Sequence, residues 1–326
     1  MDRTRLSSRQ WANPVLLHRL ILALALLLVP SSALADKRIA LSFDDVPRDR
    51  GGFFTPDQRT ARIIAALKAT RAPQAVFFVV PGQIGHDDGV GGERRIAAYV
   101  RAGNVIANHS WSHRHLGEIG ALAFLDNLDK AHAWLRHRPG FRPWFRFPFL
   151  DEGGADKARR DLVRAGLARR GFSNGYVTAE SSDWNIEAMA AEAKAAGKAI
   201  DRQALGRLYV RWHVGAADFA DGLLQQATGR QPAQVMLLHE TDMAALYLAD
   251  LIRALRKDGW TIVSADEAYA DPLRLEMPDV PSANGTLTEA LAWQKGLPAP
   301  RWYRYNDMKL AREAFAREVL HEGTAQ

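Results

Sequence analysis

Short runs dense in β-forming residues alternate with helix-like segments along most of this chain, the pattern of a parallel α/β fold. Residues 38–42 read as the first strand. A helix over 56–69 follows, opened by Thr55 and Pro56, and then the run Ala75-Val76-Phe77-Phe78-Val79-Val80, closed by Pro81-Gly82. Further strands are expected over 104–107, 144–147, 175–178, 234–238 and 260–263. Helices are expected over 93–102, 116–137 with a break near Gly120, 157–170 and 243–257; Gly103, Gly171 and Gly259 supply stops. Residues 186–223 are mostly helix-like. Repeated strand–helix units with short connections favour right-handed parallel pairing, and about seven strands favour a closed or nearly closed (β/α) barrel over an open sheet. Residues 272–326 break the pattern. They are rich in Pro, Trp and Tyr, end in a helix-like piece over 307–320, and are expected to pack on the barrel as an extension.

The N-terminus sets the expected compartment. Arg3, Arg5, Arg9 and Arg19 precede the apolar run Leu20–Val29, and Ala33-Leu34-Ala35 offers small residues for cleavage before Asp36. Residues 1–35 therefore read as an export signal. The uninterrupted apolar run is too short to span a bilayer comfortably, so membrane attachment is expected only if the leader is retained. The mature protein is expected in the periplasm or outside the cell. Removing the leader's four arginines and one aspartate lowers the formal charge from +6 to +3, too mild an excess to suggest nucleic-acid binding. No stable partner protein is implied. The chain has 0 cysteines, which excludes disulfides, zinc–thiolate sites, a cysteine nucleophile and a lipoprotein anchor.

Five polar clusters carry the chemistry: Ser42-Phe43-Asp44-Asp45, His109-Ser110-Trp111-Ser112-His113, Arg146-Phe147-Pro148-Phe149, Ser182-Asp183-Trp184 and Leu237-Leu238-His239. Three of them lie at or just past the end of an apolar run, where α/β enzymes gather catalytic side chains. His109 and His113, four residues apart, would share one face of a helical turn that Asn108 could cap. A carboxylate from elsewhere would complete a His₂-carboxylate metal set. Asp44-Asp45 supplies it: at a strand end adjacent side chains point in opposite directions, so one aspartate can bind metal while the other acts as general base. His115 is a third candidate ligand, expected to face away. His239 is suited to general-acid work near neutral pH. Taken singly, each has a blander reading, as surface histidines, a solvated Asp-Asp turn or a satisfied core histidine.

Taken in order, the clusters resemble the five motifs of the polysaccharide deacetylases of the NodB-homology class, carbohydrate esterase family 4. The first two are complete. The third has Phe149 where Tyr is frequent, and the fourth has Glu180 where a first Asp is usual. The resemblance implies a distorted (β/α)7 barrel, NodB-type and TIM-like, over residues 36–271, followed by the extension 272–326. It implies that Asp45, His109 and His113 hold a divalent metal ion, zinc above all, although Co2+, Ni2+ and Fe2+ also suit the set. It further implies Asp44 as base, His239 as acid, Arg146 paired with Asp44 and Asp183 orienting His239. The backbone N–H of Phe149 would bind the oxyanion, and Phe149, Trp184 and Pro148 would contact substrate. Trp111 is expected in the core. The expected activity is removal of N-acetyl groups from an N-acetylated glycan. An O-acetyl esterase or other C–N hydrolase on the same frame, or a non-catalytic glycan-binding protein, are the alternatives.

Overall fold

The computed structural model describes Met1 and residues 36–280 and 285–323. The expected leader over 1–35 thus lies outside the described residues, Met1 excepted. Lys37–Gln326 form one compact unit, and no helix among the described residues is long and apolar enough to cross a membrane.

The elements alternate as the sequence pattern requires: β1 (Arg38–Val46), α1 (Pro56–Ala69), β2 (Val76–Val79), α2 (Gly92–Arg101), β3 (Val105–Asn108), α3 (Leu116–Ile119), α4 (Ala121–Leu135), β4 (Phe141–Phe145), α5 (Lys157–Arg169), β5 (Ser173–Asn174), α6 (Asp183–Ala195), α7 (Arg202–Thr228), β6 (Gln234–His239), α8 (Asp242–Lys257), β7 (Thr261–Ile262), α9 (Ala265–Ala270), α10 (Leu287–Gln294) and α11 (Met308–Val319). The strands form one parallel sheet in the order β5-β4-β3-β2-β1-β6, with β7 paired to the start of β1. Beyond β5, Ala179 bridges in parallel to Met236 of β6 and draws the two edges of the curled sheet together. The result is a distorted (β/α)7 barrel.

Alternation along β1 separates two layers. Ile39, Leu41 and Phe43 face the helices and are fully packed with Phe77, Ile106, Met236 and Leu238. Phe43 stacks on Phe77 at 4.8 Å, and burying one such ring contributes about 1.5–3 kcal/mol relative to leaving it exposed. Ala40 belongs to the opposite layer, with Val76, Phe78, Ala107 and Val235. This inward row continues to Ser42 and Asp44, so the barrel interior changes from apolar to polar toward the carboxyl ends of the strands.

Local chemistry explains the boundaries. Thr55 and Gln58 form a reciprocal capping box at the start of α1, with Pro56 in its first turn. Gly229, at φ 72, ends α7 in a left-handed conformation that costs glycine little. Three expected strands differ in extent or position. β1 runs on to Val46, through the Asp-Asp pair, because pairing with β6 continues to Asp44↔His239. β4 begins at Phe141 rather than Trp144, and β5 is a two-residue strand ahead of the expected 175–178.

Past the barrel, α10 packs on α7, and α11 packs on α7 and α6. Trp212 of α7 stacks on Tyr305 at 4.3 Å, which seats the connection between α10 and α11.

Candidate active site

Sheet register brings the site together. Asp44 and His239 are direct partners across β1 and β6, while β3, two strands from β1 on its other side, delivers the loop that carries His109 and His113. Residues from all three ends line one cleft of about 700 Å³: Asp44, Asp45, His109, His113 and His239, with Phe149 and Trp184 at its wall. Arg146 and Asp183 are buried just behind it.

Two expectations about local geometry need correction. The aspartates do not point apart. Asp45 has φ 63, and the β1–β2 register slips between Phe43 and Val46, so the alternation breaks there and both carboxylates face the same imidazole. His109 Nε2 is 3.6 Å from Asp44 Oδ2 and 3.5 Å from Asp45 Oδ1. The two histidines do not lie on a helical turn either. They belong to an irregular loop in which Ser110 (φ 64) and His113 (φ 50) are left-handed. Asn108 Oδ1 accepts from the Ser110 N–H at 2.8 Å, and Ser110 Oγ accepts from the His113 N–H at 3.0 Å. These side-chain turns replace the helix and still bring the rings to a centroid distance of 4.8 Å.

The donor set fits a divalent cation. One ligand atom from each of Asp45, His109 and His113 lies within 4.8 Å of the others. The His109 Nδ1–H donates to the Arg146 carbonyl at 2.8 Å, which leaves Nε2 as a lone pair directed at the carboxylates. His113 Nε2 lies 3.0 Å from Asp45 Oδ1, yet that buried oxygen receives no directed hydrogen bond. A buried carboxylate oxygen without a hydrogen, facing two imidazole nitrogens, is what two-histidine, one-carboxylate coordination requires. Burial disfavours the Asp45 carboxylate, but the facing imidazoles and the charges of His239 and Arg48 outweigh it and hold the group well below the usual carboxylate range.

Arg146 is fully buried and saturated. Nη1 donates to Asp44 Oδ1 at 2.8 Å, Nη2 donates to the Tyr269 hydroxyl at 2.9 Å and to Ser42 Oγ at 3.2 Å, and Nε donates to the Gly175 carbonyl. Its guanidinium also lies 4.1 Å from the Phe78 ring centre. On the other side, Asp183 accepts two hydrogen bonds from His239, from Nδ1–H at 2.6 Å and from the backbone N–H at 2.8 Å. That leaves His239 Nε2 for the cleft. Burial lowers the His239 pKa, but the charge and hydrogen bond of Asp183, with Asp45 behind them, overcome this and raise it to about 9.

Phe149 has φ 58 in the single turn Pro148–Leu150. Its ring stacks on His115 at 3.7 Å and tilts against His113 at 4.5 Å. His115 is therefore not in the ligand cluster; it pairs with Asp151 at 3.2 Å and supports Phe149. Pro148 is buried and is not among the residues lining the cleft, so its expected substrate contact is not supported. Trp111 is half-buried against the main core, with Lys130 4.2 Å from its ring.

The places of several site residues were not read from the sequence. Arg48 Nη1 is 3.1 Å from Asp45 Oδ2; a basic residue three positions past the aspartates was the only signal. Glu180 is buried beside Asp183, its oxygens hydrogen-bonded to the Ser182 N–H at 2.6 Å and to the Asn306 side-chain amide, and burial pushes it up to about 7. Tyr269, on α9, had no local signal at all.

Residues 31–169 match the family model described as polysaccharide deacetylase. No curated protein matches the chain. Among solved structures, a family 4 carbohydrate esterase from Streptomyces lividans is 18% identical with a TM-score of 0.47, covering 72% of this chain and 96% of that one. A polysaccharide deacetylase from Bacillus cereus is 17% identical with a TM-score of 0.49, covering 70% and 91%. A chitin deacetylase from Colletotrichum lindemuthianum is 16% identical with a TM-score of 0.47, covering 72% and 88%.

Proposed function

We propose, on the premise that this chain belongs to the polysaccharide deacetylase family, that it is an exported hydrolase removing N-acetyl groups from sugars of a glycan with a divalent cation, zinc above all, held by Asp45, His109 and His113. The observation that carries the reading is the convergence of those three ligand atoms within 4.8 Å, in a cleft also lined by the buried Asp44 and by His239. A cation there would polarise the amide carbonyl and acidify a nearby water.

The remaining chemistry belongs to the chain. Asp44 takes the proton from the attacking water. Arg146, 2.8 Å away and buried, keeps the Asp44 carboxylate oriented through the attack. The backbone N–H of Phe149, at the start of an isolated turn with no intrahelical acceptor, binds the negative charge that develops on the carbonyl oxygen. His239, held charged by Asp183, gives its proton to the leaving nitrogen. An amine is a poor leaving group without that proton, whereas an ester's alkoxide needs it less, so a histidine raised to about 9 favours amide over ester substrates. Trp184 and the Phe149 ring supply an apolar wall for the acetyl methyl.

The test is mass-spectrometric measurement of acetate loss from a panel of N-acetylated and O-acetylated glycans, with metal content determined on the same sample. The reading expects deacetylation of at least one N-acetylated glycan. Release from O-acetyl substrates alone would replace it with an esterase.

A further inference from the structure

The family match ends at residue 169, yet the cleft is finished by residues far beyond it. Arg301, Trp302, Tyr303 and Asn306, together with Thr288 and Glu289, line the same cavity as the ligand cluster. This segment is built in. The Leu287 N–H donates to the Val177 carbonyl at 2.8 Å, and Thr288 Oγ1 donates to the Thr178 carbonyl at 2.9 Å. Asn306 donates to Glu180, on the loop that leads to Asp183. A Cβ at Gly215 of α7 would lie 2.5 Å from the Tyr303 hydroxyl, so the helix surface is cut to receive that ring.

Against this packed background Trp302 is 45% exposed, and among the described residues no ring stacks on it. Trp184, on the same cleft, is 42% exposed. A single exposed tryptophan needs no explanation; Trp293, outside the cleft, is such a case and lies 5.2 Å from the Arg301 guanidinium. An indole left bare inside a cavity of ligand-binding size, beside polar groups that can hydrogen-bond hydroxyls, is different. The cleft of about 700 Å³ holds more than an acetyl group and one sugar ring. The C–H face of a pyranose is apolar and flat, its rim is hydroxylated, and Trp302 with Arg301 and Glu289 nearby offers the matching surfaces.

We propose that residues 285–306, which lie beyond the family match, supply a second sugar subsite in which Trp302 stacks on a pyranose next to the one being deacetylated. This inference rests on the deacetylase reading and concerns binding, not the chemical step.

The experiment compares wild type with Trp302→Ala and Trp302→Phe on N-acetylglucosamine and on a longer oligomer of it. Trp302→Ala is expected to raise KM for the oligomer about tenfold, the equivalent of about 1.4 kcal/mol, with kcat retained. Activity on the monosaccharide is expected to be unchanged, and Trp302→Phe to restore most of the oligomer's KM. An unchanged oligomer KM, or an equal loss on both substrates, overturns the subsite. A second arm titrates the deacetylated oligomer, which cannot turn over, calorimetrically into each protein. Weaker binding by Trp302→Ala supports the subsite even if wild type deacetylates nothing, a result that would instead sink the proposed activity. Equal binding overturns the subsite even where deacetylation holds.

Discussion

Replacing Asp183 with asparagine removes the charge that holds His239 protonated while leaving a side chain of the same shape. In the folded protein His239 titrates near 9 although burial alone would lower it. Without the Asp183 carboxylate, burial acts against the charged form, and the group falls to its ordinary 6.5 or below. A cation at Asp45 would cancel that residue's contribution, so the basic limb of the wild-type rate profile is expected at or below about 9. At pH 8 a group titrating near 9 is about nine-tenths protonated, and one at 6.5 about 3% protonated, so the variant should lose at least about thirtyfold in rate there. The same shift has a stability consequence. A folded-state pKa above the unfolded one contributes stability that is complete below about 6.5 and is lost as pH rises through about 9. Wild type should therefore lose melting temperature across that window more steeply than Asp183→Asn. The assay is acetate release against pH with metal content matched between the two proteins. A basic limb that stays near its wild-type midpoint in Asp183→Asn would refute the argument that this carboxylate sets the His239 proton.

Two further outcomes follow. Asp44→Asn should keep its metal, because the proposed ligand atoms belong to Asp45, His109 and His113, yet lose turnover on the order of a hundredfold or more; near-wild-type turnover with metal bound would assign the base elsewhere. Export should yield a mature N-terminus at Asp36, readable by N-terminal sequencing of the exported protein, and a chain that still begins at Met1 would favour a retained anchor.

The five clusters were legible because each is contiguous in sequence and three sit at the ends of apolar strands, where the fold must gather them. Arg146 and Asp44 are far apart in sequence, and placing them together depended on family resemblance rather than on any local pattern. The conformation of the ligand loop was not legible. Four-residue spacing between His109 and His113 suggested a helix, but Ser110 and His113 adopt positive φ, and side-chain turns from Asn108 and Ser110 bring the rings together instead. The same kind of event hid the shared direction of Asp44 and Asp45, since strand alternation fails where Asp45 turns left-handed. Tyr269 and Asn306 act through tertiary contacts, to Arg146 and to Glu180, and no local propensity encodes such contacts. The C-terminal segment was recognisable as rich in Trp and Tyr, but its place on the cleft came only with the fold.

The account stands or falls on the three-residue metal set. The most direct measurement is elemental analysis together with acetate release on one preparation of wild type and one of His113→Ala. Wild type is expected to hold about one divalent ion per chain and to release acetate from an N-acetylated glycan. His113→Ala is expected to lose tight metal binding and acetate release together. Undiminished metal in His113→Ala, or acetate released at the wild-type rate by protein holding none, would contradict the central claim.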